Sequence, residues 1–168
     1  MPVKIIQSAS SAYAYPLLIK QLLHTPLATS PDQEISYQGK LRFTYRTLRE
    51  RIARLARGLS DLGVEAGHTV AMMDWDSHRY LECFFAVPMM GAILQTVNVR
   101  LSAEQILYTL NHAKADVLLV NREFLPVLAS IAARLEHVRH FVLIDDEGSP
   151  LEASVSFADE YEALLAKA

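Results

Sequence analysis

The sequence contains one cysteine, Cys83, among 168 residues. No disulfide can form within a chain that has a single thiol, which favours a reducing compartment, so we expect a cytoplasmic protein. The first residues, Met1-Pro2-Val3-Lys4, contain no apolar run of signal-peptide length. Every apolar run is also far shorter than the roughly 20 residues of a membrane-spanning helix, and we expect no transmembrane segment.

Glycine is also scarce. The six glycines are Gly39, Gly58, Gly63, Gly67, Gly91 and Gly148. None has the clustered spacing that lets backbone N–H groups approach a phosphate, as a dinucleotide fingerprint or a Walker-type loop requires. This counts against a flavodoxin-like nucleotide-binding domain. Six histidines are present, but no pair has the helical spacing of metal ligands, and we expect no metal site.

A basic excess is also missing, because the formal net charge is −3. This balance argues against a nucleic-acid partner. One predicted helix is locally basic, carrying Arg46, Arg49, Arg51, Arg54 and Arg57. No aromatic residues interleave there for base stacking, so we interpret these arginines as a solvated face. The acidic run 145–147 is interpreted as a solvated turn in preference to a cation site.

The remaining composition is that of a globular domain, with 51% hydrophobic and 21% charged residues. Short apolar runs alternate with amphipathic segments of ten or more residues. This order predicts the α/β class, with a largely parallel sheet covered on both faces. Strands are predicted at 35–37, 41–43, 69–73, 92–97, 117–120 and 141–144.

Helices are predicted between these strands from apolar periodicity and capping residues. The clearest follows Thr44 as N-cap and ends at Gly63. Others are predicted at 77–90, at 102–112 with a Ser102–Gln105 capping box, and at 123–136. A short leucine-rich helix is expected around 16–24, and a final helix containing Tyr161 is expected to be capped by Ser156 or Asp159.

Two positions attract a functional interpretation. The segment Asn98-Val99-Arg100-Leu101 follows a predicted strand and precedes a helix, and such loops bind ligands in open α/β sheets. An arginine there can hold a phosphate, and position alone is equally explained by a plain surface arginine on a connecting loop. Cys83 lies among apolar helical neighbours, and we interpret it as a buried structural thiol, not as a nucleophile.

Five sequence words resemble the AMP-forming acyl-CoA ligases, in the same order and spacing. They are FTYRTL (43–48), GLSDLGVEAGHTVA (58–71), HRYLECFFAVPMMGA (78–92), NVRL (98–101) and YTLNHA (108–113). The third and fifth words resemble the medium- and long-chain fatty-acyl branch. Two departures stand out: His68 replaces the usual aspartate, and Val99 replaces the usual proline.

The resemblance implies the first part of the large N-terminal domain of an adenylate-forming ligase. Such enzymes activate a fatty acid or other carboxylate with ATP and Mg²⁺ to acyl-AMP, then transfer the acyl group to CoA. The phosphate loop and the other catalytic words of the family do not occur in these 168 residues. We therefore expect this chain alone to be inactive and to bind none of these ligands tightly.

The resemblance also assigns the binding residues and the organisation. In relatives the arginine of the fourth word lies near the phosphates of the CoA nucleotide, which implies Arg100, with Asn98 beside it. Residues 1–34 are expected to form an N-terminal extension with a contact for a homodimer, and residues 35–168 the α/β unit. The alternative function is a non-catalytic α/β module for dimerisation or interaction.

Overall fold

A computed structural model describes residues 9–13, 18–148 and 155–168. Within them the strands are β1 (Glu34–Tyr37), β2 (Leu41–Thr44), β3 (Thr69–Met73), β4 (Ile93–Thr96), β5 (Ala115–Asn121), β6 (His140–Ile144) and β7 (Asp159–Glu160). The α-helices are α1 (His24–Thr29), α2 (Tyr45–Asp61), α3 (His78–Met89), α4 (Ala103–His112), α5 (Leu125–Ile131) and α6 (Tyr161–Lys167). Short 3-10 helices span Ile19–Leu23, Arg122–Phe124 and Ala132–Arg134.

The main sheet has the strand order β4-β3-β5-β6-β7, and every neighbouring pair is parallel. Strands β1 and β2 form a separate antiparallel hairpin. Strand β3 is buried on both faces, because Val70 and Met72 enter one hydrophobic cluster while Ala71 and Met73 enter another. Helices α2, α3 and α6 cover the first cluster, and α4 and α5 cover the second. The predicted α/β class with a largely parallel sheet is confirmed.

Helix α2 forms where the apolar stripe and its caps predict it. Thr44 Oγ1 accepts a hydrogen bond from the Thr47 N–H at 3.3 Å, which satisfies one free donor of the first turn. At the other end, Gly63 adopts φ +82° and donates its N–H to the Ser60 carbonyl, while Val64 donates to the Leu59 carbonyl. This is a Schellman ending, which requires the left-handed conformation that glycine adopts without strain.

The segment after β5 differs from the predicted helix at 123–136. It is divided into a 3-10 turn, the seven-residue α5 and a second 3-10 turn. Pro126 lies in the first turn of α5. In the interior of a longer α-helix its ring would clash with the carbonyl four residues earlier. The α-helix therefore begins at Leu125, one residue before the proline. The Ser102–Gln105 capping box of α4 is present as predicted.

Two further predictions are corrected. The final helix is capped by Glu160, whose carboxylate accepts the Ala163 N–H at 2.9 Å, and not by Ser156 or Asp159. Asp159 instead lies in β7 and forms an ion pair with Lys167. Near the amino terminus, the helical segment extends from Ile19 to Thr29. Positions 16 and 17 of the predicted helix lie outside the described residues.

No helix in the described ranges is both long enough and apolar enough to cross a lipid bilayer.

Candidate functional site

The parallel strands place their carboxyl ends at one edge of the sheet, which is where ligands bind in open α/β folds. Four loops lie at this edge: 74–77 after β3, 97–102 after β4, 122–124 after β5 and 145–148 after β6. Because β4 is an edge strand, its loop lies at one end of the row. The site therefore has a lateral part, the β4 loop, and a central part over β3, β5 and β6.

The lateral part is a turn closed by Asn98. Its side-chain oxygen accepts the Arg100 N–H at 3.1 Å, and its carbonyl accepts the Leu101 N–H at 3.2 Å. Arg100 is exposed, and its guanidinium makes no ion pair with any residue of the described ranges. Val99 packs against the second hydrophobic cluster. This packing anchors the loop, and the turn presents Arg100 to solvent.

The central part is a cavity of about 610 Å³. Its walls come from the β1–β2 hairpin, α2, α3, α6 and the loops after β3, β5 and β6. The principal lining side chains are Tyr37, Trp75, His78, Arg79, Asn121 and Glu123. Asn98 and Arg100 do not line it. The two predicted binding residues are thus brought together with each other, but the structure does not bring them into the central cavity.

A buried carboxylate joins three elements below this cavity. Asp74, which is 4% exposed, accepts a hydrogen bond from the Asn121 side-chain amide at 2.8 Å. Its other oxygen accepts the Ser77 hydroxyl at 2.5 Å. Ser77 Oγ in turn accepts the Tyr80 N–H as the N-cap of α3. Since each group is committed to another, this cluster fixes the ends of β3 and β5 and the start of α3.

Arg51 is half-buried at the side of the cavity, which corrects its interpretation as part of a solvated face. Its guanidinium contacts Glu82 at 2.6 Å and Glu162 at 2.8 Å. Only 22% of the Arg51 side chain is exposed, and Glu82 is fully buried. Tyr161 donates its hydroxyl to Glu82 at 2.7 Å. This network clamps α6 against α2 and α3.

The acidic turn after β6 is likewise structured and not simply solvated. Asp145 pairs with Arg122 at 2.8 Å, and Asp146 pairs with Arg79 at the same distance. Burial alone would raise the pKa of Asp145, but hydrogen bonds from the backbone of residues 147 and 148 and from Arg122 lower it overall. The turn thereby closes one side of the cavity.

Burial and neighbouring charges shift the pKa values of several side chains. Burial acts to raise the pKa of Glu162. Hydrogen bonds from His78 and Arg51, together with the positive charges of Arg51 and Arg79, outweigh burial and lower this pKa. Burial also raises the pKa of Tyr80 to about 12. The pKa of the Cys83 thiol is raised mainly by its complete burial, so it stays protonated at neutral pH. Its interpretation as a structural thiol agrees with this.

The cavity contains buried polar atoms that are free to bind a ligand. His78 Nδ1 and Arg79 Nη1 are buried and have no hydrogen-bond partner within the described residues. Arg79 is held by Glu162 and Asp146, each at 2.9 Å or less. No group of three or more histidine, cysteine, aspartate or glutamate side chains in the described ranges is arranged to hold a metal ion. Consequently no role for Mg²⁺ is derived from these residues.

Sequence reasoning did not find the central cluster. Glu82 and Glu162 lie 31 and 111 positions from Arg51, and no local pattern connects them. One signal was available: Glu82 interrupts an apolar helical segment between Leu81 and Cys83. A carboxylate at a core-facing position requires a buried partner, because an unpaired charge there is too costly.

Two solved structures have a fold similar to that of this chain. An anthranilate CoA ligase, AuaEII, superposes with a TM-score of 0.77 at 24% identity, over 91% of this chain and 28% of that one. A fatty acyl CoA synthetase of Mycobacterium tuberculosis gives 0.68 at 23% identity, over 73% of this chain and 26% of that one. At these identities the likeness concerns the fold.

The sequence carries the assignment further. The family described as AMP-binding enzyme matches residues 23–166, and the chain belongs to this family. It is 45% identical over 106 residues to a long-chain-fatty-acid–CoA ligase of Thermus thermophilus, covering 63% of this chain. It is 34% identical over 124 residues to a medium-chain-fatty-acid–CoA ligase of Ectopseudomonas oleovorans, covering 74%. The chain spans only 20% and 23% of the length of these two relatives.

Proposed function

We propose that this chain forms part of an AMP-forming fatty-acyl-CoA ligase. The carboxylate attacks the α-phosphate of ATP to give acyl-AMP and pyrophosphate, and the CoA thiol then displaces AMP to form the thioester. The family match over residues 23–166 and the likeness to long- and medium-chain ligases support this activity. The single buried cysteine favours a cytoplasmic location.

Within such an enzyme, the β4 loop contributes to CoA binding. The observation that carries this role is the exposed Arg100 guanidinium at the carboxyl edge, on a turn held by the Asn98 side chain. Arginine pairs with phosphate through two parallel charge-assisted hydrogen bonds. Arg100 binds a phosphate of the CoA nucleotide, and Asn98 keeps the turn in the conformation that presents it. Residues 35–168 form the α/β unit that carries this loop.

Replacing Arg100 by alanine in the complete enzyme is expected to raise the KM for CoA about tenfold, with the KM for ATP unchanged. Losing a hydrogen-bonded charge costs about 1.5–3 kcal/mol, which corresponds to at least one factor of ten. Asn98→Ala is expected to act in the same direction but less strongly. Steady-state kinetics with each substrate varied in turn would measure both effects.

The matched control is Arg54→Ala, which removes an exposed arginine of α2 that makes no ion pair with a described residue. It should leave both KM values unchanged. An unaltered KM for CoA in Arg100→Ala would reject the assigned role. A ligase that forms no acyl-AMP from any fatty acid, even without substitution, would instead reject the proposed activity as a whole.

The N-terminal extension, residues 1–34, is proposed as a homodimer contact. Leu22, on its 3-10 helix, is 65% exposed, and Leu18, just before this helix, is 48% exposed. Leu22→Glu places a charge in this contact and is expected to shift the protein from dimer to monomer in sedimentation equilibrium. Lys40→Glu, on the exposed β1–β2 turn, is the control and should not alter the mass. A monomeric protein without substitution would contradict the dimer.

A further inference from the structure

An apolar groove lies away from the carboxyl edge, between the N-terminal helical segment and helices α2 and α3. Its volume is about 600 Å³. The apolar lining consists of Leu23, Leu27, Ala28, Ile52, Ala53, Ala56, Ala86, Met89 and Met90. It shares no lining residue with the central cavity of the carboxyl edge. The size and apolar lining are those of small-molecule sites, which occupy roughly 300–1,000 Å³.

The polar residues that line this groove all have basic side chains. They are Lys20, His24 and Arg49, and no aspartate or glutamate among the described residues lines it. Lys20 and Arg49 are exposed and make no ion pair with a described residue. Two other arginines of α2 are paired, Arg46 with Asp32 and Arg57 with Asp61, and Arg54, which makes no ion pair with a described residue, does not line the groove. The groove therefore combines an apolar trough with two uncompensated cations.

We propose that this groove binds a free long-chain carboxylate. The alkyl chain lies along the apolar lining, and the carboxylate contacts Lys20 and Arg49, with the His24 imidazole beside them. An amphiphile with one anionic end fills the apolar trough and pairs with the two cations. A neutral lipid would leave the cations unpaired, and a short anion would leave the trough exposed to solvent. The site is separate from the loop assigned to CoA and does not depend on ligase activity.

Chain-length dependence is the first test. Calorimetric titration of the 168-residue chain with hexanoate, octanoate, decanoate and dodecanoate, each kept monomeric, is expected to show tightening by up to about fourfold per added methylene. Dodecanol is expected to bind at least about fivefold more weakly than dodecanoate, because it lacks the charge. Affinity that is independent of chain length, or equal for the alcohol, would overturn the proposal.

Substitutions supply the second test. The double variant Lys20→Gln with Arg49→Gln is expected to weaken dodecanoate at least about fivefold and to leave dodecanol unchanged. Arg54→Gln on the same helix lies outside the groove and should change neither affinity. Ala53→Phe fills the trough and should weaken both ligands. Circular dichroism melts of each variant test whether the fold is retained.

Three outcomes would overturn the site. The first is dodecanoate binding that survives both the double variant and Ala53→Phe. The second is binding to anionic phosphatidylserine vesicles without binding to monomeric dodecanoate, which would make the patch a membrane contact. The third is a dimer that dissociates in Ala53→Phe, which would make the groove a contact between copies of the chain. Failure of the Arg100 experiment affects the proposed CoA-binding role of the β4 loop alone.

Discussion

Replacing Arg51 by methionine is expected to lower the free energy of unfolding by about 3–5 kcal/mol. Glu82 is fully buried and receives two hydrogen bonds from this guanidinium, at 2.6 and 3.3 Å. After the substitution it keeps a hydrogen bond from the Tyr161 hydroxyl and loses its opposite charge. A buried carboxylate without a counter-charge carries the full desolvation penalty, which is why the removal of one partner costs more than the pair contributes.

Urea denaturation and thermal melting of the Arg51→Met variant measure this loss. A domain of this size loses roughly 2–4 °C in Tm per kcal/mol, so the expected drop is about 10 °C. Arg57→Met is the matched control on the same helix. It breaks the Arg57–Asp61 pair, whose side chains are 70% and 53% exposed, and exposed pairs contribute at most about 1 kcal/mol.

A second substitution separates charge from packing. Adding Glu82→Gln to Arg51→Met removes the buried charge and keeps an acceptor for the Tyr161 hydroxyl, so the double variant is expected to regain at least about 1 kcal/mol. If Arg51→Met were no more destabilising than Arg57→Met, the network would not hold α6 in place. The same conclusion would follow if the double variant were less stable than the single one.

The second large effect is expected at Gly58, where the α6 side chain of Leu164 packs closely against α2. A Cβ atom at this position would lie 2.6 Å from Leu164 Cγ and 3.1 Å from its Cδ1. Gly58→Val improves helix propensity by a few tenths of a kcal/mol, since glycine is the poorest ordinary helix former. Overpacking costs about 1–3 kcal/mol. We therefore expect a net destabilisation of about 2 kcal/mol.

Denaturant unfolding of Gly58→Val is compared with that of Ser60→Val, which introduces the same side chain at an exposed position of the same helix. The control should stay within about 0.5 kcal/mol of the parent chain. Leu164→Ala in the Gly58→Val background relieves the clash, and the double-mutant cycle should show a coupling of at least about 1 kcal/mol. A stabilised Gly58→Val chain would contradict the close approach of α6.

Both experiments test the packing of α6, which depends on contacts distant in sequence. It has only seven residues, too few to form a stable helix in isolation. Tyr161, Leu164 and Leu165 bury it in the first hydrophobic cluster, and Glu162 bonds it to both Arg51 and Arg79. Sequence reasoning located this helix through its apolar spacing but assigned its cap to Ser156 or Asp159. Glu160 takes that role because α6 begins at Tyr161, so residue 160 occupies the N-cap position, while the Asp159 carboxylate pairs with Lys167.

The β4 loop shows the converse case. Asn98 and Arg100 were singled out from their place between a strand and a helix, and the structure brings both into one turn at the carboxyl edge. Their separation of two residues makes that contact local, so the sequence was sufficient to predict it. Their separation from the central cavity was not predictable, because it depends on β4 being an edge strand of the sheet.

By itself the sequence determined the α/β class, the main helices and strands, the α2 and α4 caps and membership of the AMP-binding enzyme family. These follow from periodicity, capping and sequence words, which act over a few residues. Only the tertiary structure decided that Arg51 is half-buried, that Glu82 and Glu162 are its partners and that Lys20 and Arg49 flank an apolar groove. Such placements are set by packing between elements far apart in the chain, where the strand order of the sheet determines which charges meet and which remain unpaired.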